Sequence, residues 1–501
     1  MRGSRRNYHI AVIDAGKTNK KVSVYSRGLK LIHKESTQIG ELKIGGMLCD
    51  DIPAMNEWVL LALKRFASGY EVKVISATTF GATVVHLDRN GDFALPVISY
   101  MNPVDAVTEN RFYGRFGSKA DLYMKTGTPS FGCSLNVAKQ LFWLKEKRKK
   151  EYGSIESTLF LPQYVGFFLT GKKSVELTSI GCHTYLYDFR KKGWSTVAAG
   201  MGAVGKIPAE ISKPWDTLGT ISPQVCRRTG LEGDCRVTVG IHDSNASLLP
   251  YLMWDRGEFI LASTGTWGVF MYPGAKYELN RESLRRDVLY YIDPFGRPVK
   301  ASRFACGVEH DHYSKLISKR FGRDPRKVAL NTRVLREILE SNDCFVVPAL
   351  MPNTGQFPDS KPGIIGSRKF FKNIETAYHV LCLSLAVQSY FAINEILGGK
   401  KKIPIFIEGG FANNSIYAGC LSALFAGNRV MSTELKEATS LGAAICARCA
   451  QESTSPGKLD PGLVSLNEKT IRRPGIDGKL FRKYVESFVL QCRSGERSRN
   501  G

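Results

Sequence analysis

Asp14, Gly16, Lys17 and Thr18 fall within the stretch IAVIDAGKTNKKVSVYS, residues 10–26, where a carboxylate closes an apolar run and a glycine, a cation and a hydroxyl follow at once. A tight turn of this composition can aim backbone N–H groups and a hydroxyl into one concavity that suits phosphate oxygens, and the carboxylate beside it can hold a metal ion through water. The same residues also make an ordinary β-turn whose aspartate bonds the loop amides. The Gly-Lys-Thr triplet is not the end of a Walker loop, because the glycine required five places before Gly16 is Ala11 and no helix follows. Thr264, Gly265 and Thr266 in GEFILASTGTWGVFMYP offer a second turn of the same kind.

Asp243 in GIHDSNAS follows an apolar strand ending at Ile241 and precedes a helix of small residues. That is a positioned place for a general base and equally the place of a helix cap. His242 beside it can orient a ligand or pack as a polar core residue. Gly409 and Gly410, after the apolar run IPIFIE and before Asn413 and Asn414, leave backbone bare for a flat ligand with amide side chains close by.

Strands and turns must hold these groups. After Asn19, Val22 and Val24 alternate with Ser23 and Tyr25, which predicts a strand with one buried face, so the first turn joins two strands. The second turn repeats the device beyond the middle of the chain. YEVKVISATTFGATVVHLDRNGDF predicts strand, loop, strand and a turn at RNGD. LNVAKQLFWLKEKRKKEYG carries Leu135, Ala138, Leu141 and Phe142 at helical spacing, then a basic end and a glycine stop. Short apolar runs alternating with helical patterns imply α/β layering.

The chain has 501 residues, 43% of them hydrophobic, enough for two domains with large cores. Tyr378 to Leu397 is apolar, but His379, Gln388, Asn394 and Glu395 favour a buried helix over a membrane span. MRGSRRNYHI has no apolar core that would make it a secretory signal. Twelve scattered cysteines point to reduced thiols in the cytoplasm; Cys446 and Cys449 have C-x-x-C spacing without a second ligand pair. A net charge of +24 favours an anionic partner, yet the clusters KEKRKKEY, GGKKKIP and RSGERSRNG lack the aromatic interleaving of a nucleic-acid module. No nucleic-acid or membrane partner is expected.

The order of these features, from hairpin with aspartate through a lone aspartate after a strand and a Ser-Thr-Gly-Thr hairpin to Gly-Gly before a helix, resembles the FGGY carbohydrate kinases of the actin-like ATPase superfamily. The resemblance extends through WLKEK, LPQYVGFFLTGK, VELTSIGCHTYLYD, GWS and EATSLGAAICA, while TTFGATVVHLDRNG is similar to the Thr-Trp-Gly loop of the rhamnulokinase and fuculokinase branch. It implies an α/β fold of two actin-like ATPase, ribonuclease H-like domains, residues 1–248 and 249–501, with an ATP and sugar cleft between them that closes over substrate. It also implies a cytoplasmic enzyme, monomeric or homodimeric, transferring phosphate from ATP with Mg2+ to a ketose such as rhamnulose, fuculose or xylulose, or a related polyol. Alternatives are a kinase of a non-ketose small molecule and a catalytically silent sugar sensor.

Carried over by residue, the resemblance implies Asp243 as the base and Asp14 and Asp243 at the metal. Gly16, Lys17, Thr18, Asn19 and Lys21 would form the first phosphate loop, and Thr264, Gly265 and Thr266 the second. Gly409, Gly410 and Asn413 would lie against the adenosine. Thr79, Phe80, Gly81, Thr83, His242 and Asp243 would face the sugar. Departures are Lys17 in place of a small residue, Phe80 for tryptophan, Thr83 for an acid, ISYMNPVD for a Tyr-Arg-Asp-like segment, and Gln163 for aspartate. They fall on the sugar side more than on the ATP side.

Overall fold

A computed structural model describes residues 7–254, 257–351, 354–400, 402–435 and 437–497. MRGSRR, Lys401 of the GGKKKIP run and the last four residues of the basic C-terminal cluster lie outside the described residues. Contacts divide the chain into two units: Met1–Arg256, Tyr290–Pro298 and Glu437–Ser465 in the first, Gly257–Leu289, Val299–Lys436 and Leu466–Gly501 in the second. Both units are discontinuous in sequence, because Tyr290–Pro298 and Glu437–Ser465 return to the first.

In the first unit, β1 (His9–Ala15), β2 (Asn19–Ser26) and β3 (Leu31–Gln38) form an antiparallel meander. β4 (Glu41–Ile44) and β5 (Met47–Asp50) make a separate ribbon. β6 (Val72–Thr79) lies parallel to β1, and β7 (Thr217–Thr220), β8 (Arg236–Thr238) and β9 (Ile241–His242) complete a sheet of order β7-β8-β6-β1-β2-β3, with β9 also beside β6. The Gly16 turn therefore joins paired strands, as the alternation predicts. The one-faced burial expected of β2 does not hold: Val22, Ser23, Val24 and Tyr25 are all buried. Helix Ile52–Ala67 packs on β2, and helix Ala438–Gln451 packs on the neighbouring β1 and β6, so this sheet is covered by helices on long-range segments that local alternation does not report.

In the second unit, β10 (Ile260–Thr264) and β11 (Gly268–Pro273) form the second hairpin. Together with β12 (Pro298–Phe304), β13 (Ile405–Gly409), β14 (Val430–Ser432) and β15 (Lys469–Thr470) they run in the order β12-β11-β10-β13-β14-β15. The apolar run at Tyr378 belongs to helix Ile374–Leu397, the one helix among the described residues long and apolar enough to cross a membrane, and it is buried in this unit's core. The glycine stop expected after KEKRKKEY is displaced. Helix Val137–Lys147 ends at Arg148, whose φ of −132° breaks it, and a second short helix, Lys149–Ser154, passes through Gly153. Cys446 and Cys449 are buried free thiols on one helix. Burial pushes both thiols up, Cys449 to about 12, which suits packing and not thiolate chemistry.

Candidate active site

Asp14 sits next to last in β1 and is 5% exposed. Its Oδ2 accepts hydrogen bonds from Ser440 Oγ at 2.7 Å and Lys21 Nζ at 3.3 Å. Lys21 in turn reaches Glu437 Oε2 at 2.8 Å, and Glu437 Oε1 takes Lys34 Nζ at 2.6 Å. Burial pushes the Asp14 carboxyl up, Lys21 and Ser440 oppose that rise, and the neighbouring charge of Asp243 adds to it. Both bonds fall on Oδ2, so Oδ1 is the oxygen left to take a ligand or water. Among the described residues no group of three or more metal-binding side chains exists. Two neighbouring carboxylates suit a hard cation completed by phosphate oxygens and water, the usual arrangement for Mg2+.

Asp243 opens the helix Asp243–Trp254 directly after β9. Its Oδ1 accepts from Ser244 N at 2.6 Å and lies 3.3 Å from His242 Nε2, and about a third of its side chain is exposed. Asp243 is thus the first residue of the helix and not a cap that precedes it. His242 is buried, and burial lowers its pKa, so the ring is neutral. Gly81 makes this packing possible: a Cβ there would stand 2.5 Å from His242 Nε2. His242 N also donates to Thr178 Oγ1 at 3.2 Å, and that hydroxyl donates to Glu176 Oε2 at 2.8 Å.

Glu176 is fully buried and caps the turn Leu177–Ile180 through Thr178 N at 2.6 Å and Ser179 N at 3.0 Å. Burial pushes its carboxyl up to about 7, outweighing those hydrogen bonds. A raised acid pKa means the folded state holds a proton that the unfolded chain releases. Its contribution to stability is present below the unfolded value near 4.5 and is lost as pH rises to about 7. The loss integrates to roughly 3 kcal/mol at most. Glu176→Gln should flatten the pH dependence of urea-unfolding stability between pH 5 and 7.5; an unchanged slope would assign that dependence to other groups.

At the first turn, Gly16 N bonds Asn19 O at 2.9 Å, Thr18 and Asn19 are exposed at the tip, and the buried Lys20 ammonium closes the loop on Gly16 O and Lys17 O, each at 2.8 Å. The Lys17 side chain leaves the turn. Its Nζ meets Asp50 Oδ1 at 2.6 Å, Glu41 Oε1 at 2.7 Å and Ser99 Oγ at 2.9 Å. In the expected sugar loop, Thr79 Oγ1 donates to Phe80 O at 3.0 Å, Phe80 is 6% exposed, and the buried Thr83 hydroxyl has no hydrogen-bond partner among the described residues.

In the second unit, Thr264, Gly265, Thr266, Gly410 and Asn413 line one cavity of about 560 Å³, a size that suits a nucleoside. Thr264 Oγ1 donates to Glu408 O and accepts from Phe411 N at 3.2 Å, tying β10 to β13. Gly409, just behind the cavity, has φ +83°, and a Cβ there would overlap the Thr264 carbonyl oxygen. Asn414, with Oδ1 on Tyr417 N at 3.0 Å, caps the helix Ser415–Leu424. Sequence reasoning missed Gly307, His310, Asp311, Arg326 and Tyr378, which share the cavity. They lie on segments without a turn or strand signal. His310 Nε2 meets Tyr378 OH at 3.0 Å, its ring packs 5.0 Å from that of Phe411, and burial lowers its pKa. Asp311 pairs with Arg326 at 2.9 Å. Ser440 and Glu437 were missed likewise; their only signal was the run EATSLGAAICA, which by itself assigns no role.

Two α/β units, each presenting a glycine turn between antiparallel strands, define a protein of the actin-like ATPase fold. The chain belongs to the FGGY family of carbohydrate kinases: residues 9–250 match the family's N-terminal domain and residues 256–456 its C-terminal domain. It is 27% identical over 299 residues to an L-fuculokinase of Salmonella typhi, covering 55% of this chain and 61% of that protein. It is 26% identical over 273 residues to a rhamnulokinase of Halalkalibacterium halodurans, covering 52% of this chain and 56% of that protein. The matched region thus spans about three fifths of these relatives. The crystal structure of a carbohydrate kinase from Novosphingobium aromaticivorans superposes with a TM-score of 0.81 at 26% identity, covering 97% of this chain and 99% of that one.

Proposed function

We propose that the chain transfers the γ-phosphate of ATP to a hydroxyl of a ketose resembling rhamnulose, fuculose or xylulose, or of a related polyol. The observation that carries this is Asp243, a partly exposed carboxylate fixed at a helix start beside neutral His242 and within electrostatic range of buried Asp14. Asp243 accepts the proton of the attacking hydroxyl. Asp14 and Asp243 would hold Mg2+, which when bound offsets charge on the phosphate oxygens. The amides and hydroxyls of Gly16, Thr18, Asn19, Thr264, Gly265 and Thr266 bind phosphate oxygens, Lys21 holds Asp14 in place, and the second-unit cavity with Gly409, Gly410 and Asn413 takes the adenosine. Buried, neutral His242, with Nε2 3.3 Å from Asp243 Oδ1, holds the Asp243 carboxylate toward the acceptor hydroxyl.

A non-ketose acceptor is the second possibility, favoured by the sugar loop, where Thr83 supplies no carboxylate and its hydroxyl is buried. The deciding experiment is a coupled ADP-release screen over ketoses, aldoses and polyols, with Asp243→Asn as blank. Acceptor-dependent ADP release from the wild type alone is expected. Sugar binding without ADP release would leave a silent sensor instead. A cytoplasmic location, where ATP is abundant and the free thiols stay reduced, accords with the proposed activity.

A further inference from the structure

Lys17 stands in the turn expected to bind phosphate, yet its ammonium ends between Asp50, Glu41 and Ser99, on the β4–β5 ribbon and the segment beyond it. The turn is already closed by a different buried cation, Lys20. Lys20 is also within electrostatic range of Asp50 and Glu41, so two carboxylates offset two ammonium groups and the Lys17 cluster has no surplus positive charge to draw a phosphate. The three Lys17 N–H groups are taken by Asp50, Glu41 and Ser99, so what the cluster offers a sugar is the remaining lone pairs of two carboxylates held in place by the lysine, acceptors suited to vicinal hydroxyls.

The cluster also borders the proposed base. The Lys17 ammonium lies 4.7 Å from the Tyr100 ring centroid and 5.2 Å from that of Phe80. Phe80 adjoins Gly81, which abuts His242, the neighbour of Asp243. The Tyr100 hydroxyl is pushed up to about 12 by burial and by the charges of Asp243, Asp50 and Glu41, so all three carboxylates lie within electrostatic range of it. Asp50 is 8% exposed and its Oδ2 is buried without a hydrogen-bond partner among the described residues, while Lys17 and Glu41 keep about a quarter of their side chains open.

Resting on the kinase activity proposed above, we propose that Lys17, with Glu41 and Asp50, forms a hydroxyl-reading wall of the acceptor pocket and serves the sugar instead of the phosphates of ATP. The wall supplies the carboxylates that Thr83 does not, and the Phe80 and Tyr100 rings offer apolar surface for the sugar's C–H face.

Lys17→Met and Glu41→Gln are to be compared with the wild type in steady-state assays in which L-rhamnulose, L-fuculose or D-xylulose is varied at saturating ATP, and then ATP at saturating acceptor. Loss of a charged hydrogen bond predicts an acceptor KM raised about tenfold or more in both variants, with the KM for ATP within about twofold of wild type. A raised KM for ATP with the acceptor KM unchanged, or no change in either, overturns the assignment while leaving the kinase activity intact. Should Lys17→Met melt far below the wild type, Glu41→Gln on the exposed β4 decides by the same criteria. A wild type inert toward all three acceptors overturns the kinase activity and this assignment together.

Discussion

Asp243→Asn is expected to lower kcat by about 10²–10⁴, equivalent to roughly 3–5 kcal/mol of barrier, with the fold retained. Asparagine keeps an oxygen where Asp243 Oδ1 now accepts from Ser244 N, so the helix start survives. It also removes a negative charge that raises the pKa of buried Asp14, so the first unit gains no strain from the change. What is lost is the group able to take a proton. ADP release in the presence of acceptor, read beside the melting temperature, separates the two consequences. Turnover close to wild type would remove Asp243 from the role of base.

Gly442→Ala is expected to damage both stability and turnover, although residue 442 is not near Asp243 in sequence. Helix Ala438–Gln451 crosses helix Asp243–Trp254 so closely that a Cβ on Gly442 would overlap the Ala246 carbonyl oxygen and stand 2.9 Å from Ala246 Cα. The obstacle is backbone, which cannot rotate away as a side chain can. Such overpacking costs about 1–3 kcal/mol, and the helix that must shift begins with Asp243. Misplacing a reacting group by about 1 Å can cost on the order of 10²-fold in rate. A melting temperature lowered by several degrees together with at least a tenfold fall in kcat is therefore expected. Gly69→Ala, at an exposed glycine with open space around it, is the control and should alter neither. A Gly442→Ala enzyme indistinguishable from that control would mean the two helices separate without consequence for Asp243.

Much of this was legible in the sequence wherever chemistry and local structure share one short stretch. The Gly16 and Gly265 turns were readable because glycine and threonine sit between runs of strand-forming residues, and Asp243 because a short polar residue stands where a strand gives way to a helix. Thr264, Gly265 and Thr266 from one such stretch and Gly410 and Asn413 from another converge on one cavity. Pairings made across long loops were not legible. Nothing near Lys17 announces that its side chain will leave the turn for Asp50, 33 residues on, or for Ser99, 82 residues on. A lysine next to glycine and threonine suggests phosphate, and only the β4–β5 ribbon redirects it. The burial of β2 on both faces failed to show for the same reason, since part of the helical cover of its sheet arrives more than 400 residues later in the chain.

That late arrival bears on how the molecule is made. Ser440 Oγ, 426 positions from Asp14, bonds its carboxylate, and Glu437 holds Lys21. A ribosome that has released only the first 256 residues has therefore exposed a sheet lacking one helix and a carboxylate lacking its hydroxyl partner. The first unit is complete only when nearly nine tenths of the polypeptide has emerged, a dependence on distant contacts that favours slow assembly and leaves apolar surface open to chaperones in the meantime. A fragment ending at residue 256 should accordingly be recovered aggregated or chaperone-bound, and adding a separate 437–465 peptide should restore part of its solubility.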